Sequence, residues 1–172
     1  MTRFTIWLAL LAYFVAEAIR LSGKSGLRSA VWCLWSLGCM AYLAHVLCAF
    51  AFHHGWSHAA AYEHTAQVTA AITGWRSGVG LWINYLFTAL WMADVASSRM
   101  QPGPQLRLAR IVWHGFMFFI VFNATVVFGH GPVRWLGAIG CGLLVGLLVR
   151  GRFLRATEPG RDKSVEEART HR

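Results

Sequence analysis

Acidic residues are scarce in this sequence: Asp and Glu together number 7 in 172 residues, and all charged residues amount to 13%. A soluble domain carries roughly 25% charge. A chain that is also 56% hydrophobic has too little charge to cover a water-facing surface, so an apolar solvent is implied. Proline is rare as well, at 4 residues, and the long apolar runs exclude a disordered chain. No CxxC pair occurs among Cys33, Cys39, Cys48 and Cys141. All four sit inside apolar runs, where a thiol acts as a small packing group. The sequence contains no GxSxG, no HExxH and no phosphate-cradling loop, since Gly78-Val79-Gly80 lacks the Lys-Ser or Lys-Thr that would follow. Ser57 beside His58 makes no catalytic triad, and no internal repeat is visible.

What is present is five apolar segments, at 4–19, 30–52, 79–96, 111–128 and 133–149. A spanning helix needs about 17–25 residues. The second segment is long enough alone, and the others lean on flanking Trp, Tyr and Arg at the interfaces. The segments are continuously apolar rather than alternating, which excludes a barrel. The expected fold is therefore all-α: a polytopic integral membrane bundle of about five transmembrane helices over residues 1–150. A polar cytoplasmic tail over 151–172 would follow, in which Ser164 and Glu167 have capping-box spacing. The longest connection, 53–78, carries Ser57 as a candidate N-cap, an Ala-rich run, and bracketing Trp56 and Trp75. It reads as a short interfacial helix over 57–73 in the outer loop. Pro102-Gly103-Pro104 marks a turn in the third connection.

Net charge is +9, but the basic residues lie in short segments between apolar runs, so topology explains them better than nucleic acid does. Thirteen of the 16 basic residues, all but Arg3, Arg76 and Arg134, fall on one side if five helices place the N-terminus outside and the C-terminus in the cytoplasm. In a bacterium this would be the inner membrane. Ala16-Glu17-Ala18 also fits a signal-peptidase site. Cleavage there would put nearly every basic segment outside, so a retained first helix is the expectation.

Ionisable groups within spans mark candidate sites, and helix rise sorts them into two layers. The inner layer holds Glu17, Asp94 and His114. Asp94 and His114 come from consecutive helices and are expected to pair, each favouring the other's charged form. The outer layer holds His45, Asn84, Tyr85 and Asn123 at similar depth, below His53, His54, His58, Glu63, His64 and His130. The histidines and Glu63 are candidate ligands for a transition metal or haem. His54 and His58 have i,i+4 spacing, although Gly55 interrupts it. His45 and His114 lie roughly 15–20 Å apart in depth by helix rise, which excludes one haem between them. Ala138, Gly142 and Gly146 form a small-xxx-small face suited to close helix packing, within the bundle or against another subunit.

Three functional readings follow: a packing, assembly or accessory role in the bilayer; metal or haem binding at the outer face; and proton-coupled transport or catalysis through Asp94, His114 and Glu17. The tail's basic residues suit anionic lipid headgroups.

Overall fold

A computed structural model describes residues 2–23, 25–97 and 106–157. The chain is all-helical in these residues: α1 (Thr2–Leu21), a 3₁₀ turn (Ser25–Leu27), α2 (Arg28–His53), α3 (His58–Thr73), α4 (Val79–Ser97), α5 (Leu106–Phe122) and α6 (Pro132–Ala156). A π-helical segment, Asn123–Val127, continues α5. Five of these helices, all but α3, are long and apolar enough to cross a membrane. Only 17–28% of each apolar window is buried inside the bundle. Phe4, Leu11, Met40, Trp82, Ile111 and Leu143 all point outward. Exposed apolar surface on this scale suits a nonaqueous surround and suggests a multi-pass membrane protein.

The bundle is organised on the antiparallel α1–α2 pair, which shares the most extensive helix contact. Ala9, Ala12, Tyr13 and Ala16 are buried on α1 at the i, i+3, i+4, i+7 spacing of one helix face. They meet Trp35, Gly38, Cys39 and Tyr42 of α2. At the crossing, a Cβ placed on Gly38 would lie 3.2 Å from the Trp91 ring and 3.4 Å from the Ala12 methyl. The close approach therefore depends on small residues, as in helix pairs that cannot rely on water for association. α4 packs on α2 and α3, and α6 packs on α1 and α5.

Helix ends explain the departures from the expected bounds. α2 stops because Gly55 (φ 51°) and Trp56 (φ 61°) take left-handed conformations. Ser57 then caps α3 by accepting a hydrogen bond from the Ala60 amide, at 3.2 Å. α6 runs to Ala156, past the expected end near 149, because Gly151 falls inside the helix without breaking it. The Ser164–Glu167 spacing and the Pro102-Gly103-Pro104 turn lie outside the described residues.

The small residues of α6 divide by face. Gly137 is filled in against Thr125, whose side chain occupies the place of any Cβ there, and a Cβ on Gly140 would come within 2.7 Å of the Phe14 ring. Gly142 and Gly146 have nothing within 4 Å, and Ala138 is exposed beside them. Packing within the bundle thus uses Gly137 and Gly140, while Ala138, Gly142 and Gly146 face outward.

Gly38→Leu is expected to separate α1 from α2 and lower thermal stability in mild detergent, by about 1–3 kcal/mol. Gly142→Leu is expected to leave the melting temperature nearly unchanged. Equal losses in the two variants would contradict the packing described.

Candidate functional site

Polar side chains gather at the two ends of the bundle, and the two gatherings differ in kind. At the end where α1 finishes and α2 begins, Glu17 is only 6% exposed. Arg20 folds back from the helix terminus and donates to Glu17 Oε1 at 2.7 Å. Its guanidinium also lies 2.9 Å from His114 Nδ1 and 4.7 Å from the centroid of the Trp35 ring. His114 Nδ1 stands 3.1 Å from the same Glu17 oxygen. The Trp35 indole N–H donates to Asp94 Oδ2 at 2.7 Å, and its ring meets the His114 ring edge-on at 5.7 Å.

This arrangement corrects the pairing expected from the sequence. No ion pair joins Asp94 to His114 among the described residues. His114 takes Glu17 and Arg20 as partners, Asp94 takes the Trp35 indole, and both contact Trp35 rather than each other. The reason is geometric: a helix-rise argument fixes the level of a side chain but not the direction it faces around the axis. Arg20 and Trp35 were absent from the sequence-derived candidates. The i,i+3 spacing of Glu17 and Arg20 was a legible signal for the first.

At the other end, where α2 finishes and α3 begins, the bundle is hollow. A cavity of ≈ 330 Å³ lies among α1, α2, α4, α5 and α3. Its wall is mostly apolar, with Ile6, Ala9, Val46, Ala49 and Phe87 among the lining residues; His45, Asn84, Tyr85, Thr65 and Thr88 supply polar positions. Trp91 also lines it. Trp91 is 2% exposed, and its buried indole N–H has no hydrogen-bond partner among the described residues. A second, more open hollow of ≈ 510 Å³ adjoins the first. The two share Ile6, His45, Ala49 and His54 in their walls, and the second adds Arg3, His53 and His64. The π segment borders the cavity through Ala124. Such an extra backbone turn is often found beside functional sites.

The sequence-derived outer residues separate here. His45, Asn84 and Tyr85 line the cavity, whereas Asn123 spends its amide on the Phe119 carbonyl, at 2.8 Å. The break after His53 puts His54 and His58 on different elements. The His54 ring lies 5.4 Å from that of His64, and His58 packs against Trp82 and Tyr85 at 5.2 Å and 5.7 Å. Glu63 is tied to Arg76 and to Gln67, and these bonds hold its carboxyl below the usual range. His130 is exposed and lines neither space. Among the described residues, no group of three or more His, Cys, Asp or Glu side chains converges to hold a metal ion. The expected metal-ligand set of His45, His53, His54, His58, Glu63, His64 and His130 is therefore not assembled. The turn at Gly55 divides it, and Glu63 is committed to Arg76. His45 and His114 belong to opposite gatherings, consistent with the exclusion of a haem between them.

Comparison with protein families, curated proteins and solved structures returns no match to this chain.

Glu17→Ala removes the carboxylate shared by Arg20 and His114. A broken buried ion pair costs about 3–5 kcal/mol; Arg20 and His114 keep partial access to solvent, with side chains 26% and 23% exposed. The expected loss is therefore nearer 2 kcal/mol, read as reduced thermal stability in detergent, with Glu17→Gln milder. A second expectation concerns pH. Burial, and then the neighbouring His64 and His53, hold the His54 imidazole below its usual pKa. The fold therefore favours neutral His54. That contribution is complete above the ordinary histidine value of about 6.5 and is lost as pH falls through the lower folded value. Thermal stability should fall on acidification from neutral pH, and less steeply in His54→Gln.

Proposed function

We propose that this chain is a small multi-pass membrane protein with an accessory, ligand-holding role. It binds a largely apolar small molecule in the half of the bundle next to α3. The observation that carries this reading is the ≈ 330 Å³ cavity, with its apolar wall, few polar positions and partnerless Trp91 N–H. Ligand sites typically occupy about 300–1,000 Å³ and combine an apolar lining with a few placed polar groups. A bundle whose whole role is packing has no use for such a space, since close packing contributes to stability. Basic-residue asymmetry supports an N-terminus outside and a C-terminus in the cytoplasm. On that orientation the cavity lies in the outer half of the bilayer, and α3 lies along the outer interface. Trp56 and Trp75, which are 66% and 77% exposed, suit anchors at that level.

The cavity reading is tested by filling the space. Ala49→Phe places a ring where the two hollows share a wall. Protein purified in mild detergent is expected to carry a small molecule that mass spectrometry recovers from the wild type and from Gly142→Leu, but not from Ala49→Phe. Equal recovery from all three, or none from any, would overturn the reading. The orientation is tested by alkaline phosphatase fusions, which should be inactive in the 98–105 connection and active near residue 75.

A further inference from the structure

The cavity has a mouth of a definite chemical character. The adjoining hollow is lined by Arg3 from α1, His45 and His53 from α2, His54 at the end of α2, and His64 from α3, together with Ile6 and Ala49. Among the described residues, no carboxylate lines either space. The nearest acidic side chain in sequence, Glu63, is held by Arg76 and Gln67. One permanent cation and four groups that can become cations thus surround an open space, and that space passes directly into an apolar cavity.

Gathering groups of like charge has an electrostatic cost. Burial, and then His64 and His53, disfavour protonation of the His54 imidazole, and a guanidinium close to a bilayer needs water or an anion. An anion among these groups reverses both terms, because it accepts charge-assisted hydrogen bonds from Arg and from protonated His. The wall residues shared by the two hollows, Ile6, His45, Ala49 and His54, make the path from polar mouth to apolar interior continuous. Ala49 keeps it open by having no side chain beyond Cβ.

Resting on the cavity reading above, we infer that the ligand is an amphipath with one anionic head and one apolar chain. The head, a carboxylate or a phosphate, sits among Arg3, His53, His54 and His64. The chain enters the cavity between α1, α2 and α4, passing His45 and ending near Trp91. Free inorganic anions lack the part that the cavity would hold, and neutral lipids lack the part that the mouth would hold.

The test uses the full chain in phosphatidylcholine nanodiscs, with quenching of tryptophan fluorescence by dibrominated stearate, stearyl phosphate and stearyl alcohol. Trp91 and its neighbours report on the cavity. The two anionic probes are expected to bind at least about tenfold more tightly than the alcohol, a step of 1.4 kcal/mol. Their affinity should rise as pH falls from about 8 to about 6, as imidazoles gain protons, while that of the alcohol stays level. The groups facing the head are Arg3, His45, His53, His54 and His64, with Tyr85 of α4 lining the cavity beneath. In the double variant Arg3→Gln, His64→Gln, the anionic preference should shrink to about threefold or less, with binding of the alcohol unchanged and the melting profile confirming a folded protein. His130→Gln, outside both hollows, should behave as wild type.

Equal binding of alcohol and anions would overturn the anionic head and leave the cavity reading intact. Failure of all three probes would overturn both. Displacement of the stearate probe by inorganic phosphate alone, at comparable affinity, would show an anion site without a chain and overturn the inference. A preference for stearate over stearyl phosphate, or the reverse, identifies which head the mouth accepts and supports it.

Discussion

Pairing of charge inside an apolar surround is the constraint on which the bundle depends. A carboxylate exposed to hydrocarbon is costly, and Glu17 is 6% exposed at the end of the long apolar run of α1. Its solution is the contact with Arg20 and His114, and that contact fixes more than two side chains. Arg20 lies over Trp35, Trp35 holds Asp94, and Trp35 also packs on Tyr13 and Trp91. Four helices, α1, α2, α4 and α5, are thereby tied at one level. Trp35 is the common member and is 2% exposed. Its ring gives the cluster an apolar surface, while its N–H satisfies a carboxylate that would otherwise face the bundle interior unpaired.

Closure at that end has a structural counterpart at the other. Where Trp35, Tyr42, Phe87 and Trp91 meet, aromatic rings fill the space between α1, α2 and α4. Further along, α1 and α2 present Ile6 and Ala49, α3 adds Ala61, and the chain interrupts α2 with two left-handed residues before starting α3. Small side chains and a broken helix leave volume unfilled. Empty apolar volume forfeits contacts, so a cavity of this size has a cost that a bundle selected for stability alone would not retain.

Much of this was legible in the sequence, and the rest failed for a definite reason. The five apolar helices and the capped segment after Ser57 were visible because continuous hydropathy and capping chemistry are local signals. The gathering of histidines beyond residue 45 was visible because helix rise converts position into depth. Partner identity was not. α2 and α4 are apolar on every face, so no hydrophobic stripe marks the side that turns inward. Asp94 was therefore assigned to His114 by level, when the direction of its side chain gives it to Trp35. The same blindness hid which α6 glycines pack inward. Gly137 and Gly140 do, while the regular Ala138, Gly142, Gly146 series turns outward. Depth alone also grouped the candidate metal ligands, whereas the turn at Gly55 and the engagement of Glu63 with Arg76 keep them from converging among the described residues.

The asymmetry between the two ends bears on which end can act. At the charged end each ionisable side chain already has a partner of suitable chemistry: Glu17 with Arg20, His114 with Glu17, Asp94 with Trp35. A site so satisfied holds helices together well but offers an incoming molecule little that it does not already possess. At the hollow end the relation is inverted. Basic and imidazole groups are collected without a carboxylate in the lining, beside an indole N–H that has no partner among the described residues. Basic and imidazole groups beside a space with volume to spare can gain from an anionic ligand. The closed cluster ties four helices together at one level, while the other end keeps its volume between those same helices and α3.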